Sequence, residues 1–283
     1  MGNLLMIWRL CIQNFRKWTA NPRIYVLAIL MLIHFYFYSP TINNFCQDME
    51  LSITPYLFPL VIKNMANLNL IMLALVLLFC DAPFLDEEQP YILIRAGKKR
   101  WMAGQVLYLA LASLVYFVFI QVSTLLFCLQ SLEFDMEWGG TIIRIANKKI
   151  PPDLGYNVNF PVNLIEAYDP LNGLLLNTGI AVLVGVMLGL IMFALNIRFN
   201  RAIGALGASA VVLTSSLDLG NPNVSIYFRP VAWIDMGNLN LNGLSSLPSV
   251  EYVLAVLGIA ILGLSILCYL LVRKKNIEVM PQI

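Results

Sequence analysis

Ten residues between two long apolar stretches have the types and order of a docking element: Asp86, Glu87, Glu88, Pro90, Tyr91, Arg95, Gly97, Lys98, Lys99 and Arg100. They lie in the segment Asp81 to Trp101, DAPFLDEEQPYILIRAGKKRW, which holds eight of the chain's 18 basic and 16 acidic side chains. Proline is favoured in a helix's first turn, and acids suit its positive end. Tyr91 to Ile94 is apolar, and Arg95, Gly97 and the basic run make a C-terminal stop. This order predicts a helix of about two to three turns and a sharp turn into the next apolar stretch. The competing reading is a disordered positive loop whose Lys and Arg snorkel.

Catalytic chemistry is poorly supplied. One histidine excludes HExxH, and no GxSxG elbow or GxxxxGK[ST] phosphate loop occurs. ATP is therefore not bound by that route. The cysteines Cys11, Cys46, Cys80, Cys128 and Cys268 form no CxxC, so no zinc site is indicated. Cys46 and Cys128 both fall near one membrane face, where a disulfide and free thiols are both open readings. The apolar stretches hold no Asp, Glu or Arg in their interiors. Lys63 lies near an end and can snorkel, and Glu251 sits at an edge. Proton-coupled carriers keep titratable groups at mid-membrane, and only His34 could serve. A lone histidine there is more often a packed or interfacial side chain. Asn64 and Asn67 share a face of one stretch; Ser113, Tyr116, Ser123 and Thr124 share a face of the next. These residues can line a path for an amphipathic substrate, or make interhelical hydrogen bonds worth about 0.6 kcal/mol each.

The elements that must position these residues are membrane helices. The 283 residues are 59% hydrophobic and 12% charged, with mean hydropathy +0.76. Soluble domains carry roughly 25% charged residues. No basic stripe with interleaved aromatics favours nucleic acid. A helical span needs about 20 apolar residues. Six candidates are present, near 24–40, 59–80, 104–130, 174–195, 202–217 and 250–272. The first and fifth look short, the fifth spanning only about 24 Å. With the N-terminus inside, the cytoplasmic segments hold 13 of the 18 basic residues, and 11 of the 16 acids lie outside. The expected fold is an all-α polytopic membrane protein, one domain of six transmembrane helices with both termini cytoplasmic. The first apolar stretch lacks a small-residue cleavage site and is expected to be a retained span.

Residues 3 to 18 are amphipathic. Leu4, Trp8, Cys11, Ile12 and Phe15 share one face, and Arg9, Gln13, Arg16 and Lys17 the other, as in a helix lying in the headgroup layer or a basic leader. Asn21-Pro22 breaks it. The external segment 131–172 is too long for a connector and is expected to fold. In the external segment 218–249, the aromatic run Ile226 to Met236 suits an interfacial or re-entrant helix. Ala181, Gly185 and Gly189, and likewise Gly204 with Ala208, recur at helical spacing. They suit close packing within the bundle or a subunit interface.

This layout resembles the permease subunits of ABC exporters of the ABC-2 (type V) group. The resemblance covers nearly the whole chain in layout and about twenty residues in motif. The motif is an acid (Glu87 or Glu88), a short helix (Tyr91 to Ile94), Gly97, the basic run Lys98 to Arg100, then Gly104-Gln105 in the third span. It implies a plasma-membrane permease that is not itself an enzyme. The charged helix between spans two and three would enter a cleft on a separate ATPase dimer, which would bind ATP and Mg. Two permease copies, identical or related, would form the path amid membrane lipids. The long loop between spans three and four departs from the family's usual short one and leaves the substrate open. Two other readings compete: an ion-coupled or facilitative carrier, and a non-transporting membrane sensor or scaffold.

Overall fold

The computed structural model describes residues 2–84, 89–147, 158–199, 201–217 and 222–274. Asp86, Glu87, Glu88 and the side chain of Pro90 lie outside these residues, as do Lys148 and Lys149. The fold is all-helical, 79% helix. No strand occurs among the described residues, only isolated bridges at Ile53–Leu132 and Asn240–Ser249.

The first helix, α1 (Gly2–Arg16), leads to α2 (Pro22–Asp48), whose start is capped by Asn21 accepting from the Arg23 N–H at 3.1 Å. Helix α2 runs well past the expected 24–40 and carries Pro40 inside it. Two pieces follow, α3 (Phe58–Lys63) and α4 (Met65–Phe79). Next come α5 (Gln89–Ala96) and the long α6 (Lys98–Phe127). In the segment 131–172, the described residues form α7 (Gly139–Ala146) and α8 (Val162–Ala167). Helices α9 (Pro170–Arg198) and α10 (Arg201–Leu213) form a tight pair, and α10 ends in a 3-10 turn, Thr214–Ser216. The short α11 (Pro222–Ser225) opens a run of 3-10 turns, and α12 (Val250–Lys274) is the last described element.

Four helices, α2, α6, α9 and α12, are long and apolar enough to cross a membrane; α4 and α10 are apolar but shorter. The core is built around α9, 78% of whose apolar stretch is buried, against 22% for α2 and 17% for α12. Small residues explain how α9 sits so deep. A side chain on Gly185 would meet Ser113 and Leu75, and one on Gly189 would meet Leu109 and Phe79. Gly204 and Gly207 of α10 face Asn196, Met192 and Leu195 of α9. Both small-residue stripes therefore serve packing within the bundle.

Cross-links gather one end of the bundle. Asn14 donates to Gln105 at 2.9 Å, Trp18 to the Tyr108 hydroxyl at 2.7 Å, and Lys17 to the Phe84 carbonyl at 2.7 Å. Asn196 holds the turn after α4 through the carbonyls of Cys80 and Ala82. Lys98 caps the last turn of α12 through the carbonyls of Val272 and Arg273. The expected face of α1 is rotated by these contacts. Leu10, Cys11 and Asn14 are buried against α6, while Leu4, Leu5 and Trp8 stay exposed. The reason is Gly104, which lets α1 approach so closely that a side chain there would meet Leu10 and the Ile7 carbonyl.

The second apolar stretch is not the single helix expected. It breaks at Asn64, whose backbone is extended (φ −77°, ψ 115°) and whose side chain caps α4 by accepting from the N–H groups of Ala66 and Asn67. Cys46 and Cys128 are both free thiols and form no disulfide.

Candidate functional site

At the cross-linked end, α5 occupies the place expected for a docking helix. It is only two turns long, so packing rather than intrinsic propensity must hold it. Ala96 is buried, and Ile92 and Leu93 rest against the core. The opposite side faces outward, with Tyr91 76% and Ile94 84% exposed and Arg95 exposed beside them. Gly97 follows with φ +79°, a conformation L side chains rarely adopt, and α6 begins at the next residue. The basic run is divided in use. Lys98 caps α12, Arg100 returns to the Ala96 carbonyl at 3.3 Å, and Lys99 remains exposed. An exposed apolar pair rimmed by cations can seat a partner with an apolar groove and acidic edge. Arg23 and Asp81 pair at 2.8 Å across the neighbouring turn, both partly exposed, a contact worth about 0–1 kcal/mol.

Most of the polar residues expected to line a path are bonded within the bundle. Tyr116 donates to the Ile71 carbonyl at 2.7 Å, tying α6 to α4. Ser123 and Thr124 return to the carbonyls of Phe119 and Ile120 in their own helix. Ser113 is fully buried against Gly185. Asn64 is a helix cap. Asn67 bonds both His34, at 3.1 Å, and the Val61 carbonyl, at 3.3 Å, while the His34 ring stacks on Tyr38. The geometry thus gives His34, Asn67 and Tyr116 interhelical bonds, Asn64 a capping role, and Ser123 and Thr124 bonds within their own helix, while the buried Ser113 hydroxyl has no hydrogen-bond partner among the described residues.

At the opposite end a cap closes the bundle. The aromatic run expected as an interfacial or re-entrant helix is instead three 3-10 turns, Ile226–Phe228, Pro230–Ile234 and Met236–Asn238. Val231, Ala232, Trp233, Ile234 and Met236 are all buried. Irregular backbone buried in this way needs side chains to satisfy it. Asn177 of α9 donates to the Ile234 carbonyl at 2.6 Å, and Asn163 of α8 to those of Met236 and Leu239. The Trp233 indole donates to the Ile226 carbonyl at 2.7 Å. Arg229 is buried, donating to the carbonyls of Ser215 and Leu217 and to the Ser225 hydroxyl.

One ion pair joins the cap to the broken helix. Lys63 Nζ lies 3.0 Å from Asp235 Oδ2, with the carboxylate almost wholly buried. Burial pushes the Asp235 carboxyl above the usual carboxylate range, while the Lys63 ammonium and the Gly237 N–H pull it back down. Lys63 therefore pairs rather than snorkels. Beside the cap, Trp138 packs on Phe160 and Tyr56 and donates to the Tyr168 carbonyl. An open cleft of about 460 Å³ lies there, lined by Glu137, Trp138, Ile143, Glu166, Tyr168 and Asp169 among others.

No family model, curated protein or solved structure matches the chain. Among the described residues, no group of three or more His, Cys, Asp or Glu side chains could hold a metal ion.

The residues missed in the sequence are Asn163, Asn177, Arg229 and Asp235, together with the Asn14–Gln105 pair. Two signals pointed to the ion pair. Lys63-Asn64 interrupts an apolar run, and Asp235 is the single charge within the apolar stretch from Pro230 to Met236. Isolated opposite charges in apolar surroundings favour pairing.

Proposed function

We propose that this chain is the transmembrane permease subunit of an ATP-driven exporter of the ABC-2 type, coupled to separate ATPase subunits that bind ATP and Mg. The observation that carries this reading is α5. It is a short helix with Tyr91, Ile94 and Arg95 turned outward, joined to α6 by one residue. A helix so placed can take a push from a soluble partner and hand it to the bundle. The apolar, hydrogen-bonded interior supports a power source outside the bilayer.

Six crossings with both termini cytoplasmic fit the lengths. Residues 58–79 reach about 33 Å, close to the roughly 30 Å of a hydrocarbon core. Helix α10 with its 3-10 turn reaches about 25 Å. Basic residues of α1, the start of α6 and the end of α12 share one end, as cytoplasmic segments do. A second permease copy, identical or related, completes the path at the plasma membrane.

The test is affinity purification of the tagged full-length chain from its native membrane. A phosphate-loop ATPase is expected to co-purify. Reversing Arg95 and Lys99 to Glu should remove it while leaving the bundle folded. If the reversed chain retains the ATPase, or the unaltered chain brings none, the proposal fails.

A further inference from the structure

We infer that residues 226–239 form a detachable lid over the outer end of the bundle, held shut by the Lys63–Asp235 ion pair as its latch. The lid has no helical ladder of its own to hold it. Its turns are fastened by side chains from four separate elements, Lys63 of α3, Asn163 of α8, Asn177 of α9 and Tyr252 of α12, and by its own Arg229, which donates to the Ser215 and Leu217 carbonyls. Of these fastenings only the first is ionic. Release of the latch therefore costs the lid its ion pair and leaves its hydrogen bonds, those of Arg229 among them, in place.

The other half of the latch is also built to move. Lys63 is the last residue of α3, a six-residue helix too short to be stable by itself. The chain then goes extended at Asn64 and restarts as α4 with its own cap. A helix that ends and restarts can shift its first piece without dragging the second. Across the break, Asn67 satisfies the Val61 carbonyl, so the interruption leaves that group bonded.

The two partners differ in their access to water. The Lys63 side chain is 28% exposed and Asp235 8%. The ammonium can swing to solvent on its flexible stem, whereas the carboxylate reaches water only if the lid lifts. Gly237 keeps the latch seated, because a side chain there would overlap Lys63 Nζ. The Asp235 carboxylate also accepts from the Gly237 N–H at 2.9 Å, which fixes its direction. The latch is a property of the bundle's own mechanics and stands with or without an ATPase partner.

Backbone hydrogen exchange of the full chain in lipid nanodiscs tests the lid. In the unaltered protein, amides 231–239 should exchange ahead of the equally buried amides of α9 between 180 and 194. Lys63→Met removes the ionic tie, and Gly237→Ala displaces the ammonium without changing any charge. Each should speed exchange at 231–239 by roughly tenfold or more, and by more than it speeds exchange in α9. The lid is overturned if either variant leaves 231–239 as slow as before, or if α9 loses protection to the same degree.

Discussion

The amide nitrogen of Asn67 reaches back 3.3 Å to the carbonyl of Val61, across a helix interruption that separates the two residues into different elements. A carbonyl left without its helical partner in an apolar surround is costly, and this one side chain supplies the missing donor. The oxygen of the same side chain accepts from His34 Nε2 on α2, so one residue closes the break and ties it to a neighbouring helix.

Asn67→Leu removes both bonds and leaves the Val61 carbonyl buried without this donor. Thermal unfolding in detergent should show a loss of about 1–3 kcal/mol. His34→Phe removes only the interhelical bond and should cost less, about 0.5–1.5 kcal/mol.

Lys63→Met leaves Asp235 buried without its counter-charge and should destabilise by about 3–5 kcal/mol. Adding Asp235→Leu should recover most of that loss, since replacing both partners by apolar groups is often neutral. The pH dependence of the single variant follows from the sign of the shift. Burial already raises the Asp235 pKa above its unfolded value, and loss of Lys63 raises it further. A group raised in the folded state contributes its stability below the unfolded pKa of about 3.9 and loses it as pH rises through the folded pKa. The deficit of Lys63→Met relative to the unaltered chain should therefore be greatest near neutrality and shrink on acidification, measured by unfolding midpoints across pH 4 to about 8.

Gly185→Leu should fold poorly. Even a Cβ at this position would lie 2.7 Å from the Ser113 hydroxyl and 3.0 Å from Leu75, and both neighbours belong to the packed core. Overpacking of this kind costs about 1–3 kcal/mol or more, readable as a lower unfolding midpoint. Gly258→Leu on α12 has nothing within 4 Å and is the matched control. It should leave the midpoint nearly unchanged.

Tyr91→Ala with Ile94→Ala should change stability by no more than about 0.5 kcal/mol, since both side chains are exposed. Co-purification of a phosphate-loop ATPase should nevertheless fall sharply. Unfolding midpoints and mass spectrometry of the purified complex read the two effects separately.

Some of this architecture was legible from local signals. The apolar runs located α2, α6, α9 and α12 because hydropathy over about 20 residues leaves few alternatives. Gly97 between Arg95 and the basic run marked the sharp turn from α5 into α6, since glycine and a cationic last turn are local stop signals. The break at Asn64 was not legible. Lys63-Asn64 interrupts the apolar run, but neither residue forbids a continuous helix, and only the tertiary bonds of Asn67 and the pairing of Lys63 make the break tolerable. The buried side of α1 was legible only in part, through Cys11 and Phe15. Amphipathic spacing locates a helix's apolar side, but the space beside Gly104 decided that Leu10, Cys11 and Asn14 would be the buried residues. The capping role of Asn163 and Asn177 depends on irregular turns that carry no periodic signature.

A single residue separates α5 from α6, and that residue is a glycine with positive φ. A joint of one residue has two soft torsions and no slack length. Lys98 grips the final carbonyls of α12, and the Trp101 ring meets Phe193 of α9 edge-on with centroids 5.8 Å apart. A displacement of the small helix that is not absorbed by rotation about Gly97 is thus delivered to three long helices within one turn of the joint. The root of α6 behaves as a crank, with the glycine as its wrist.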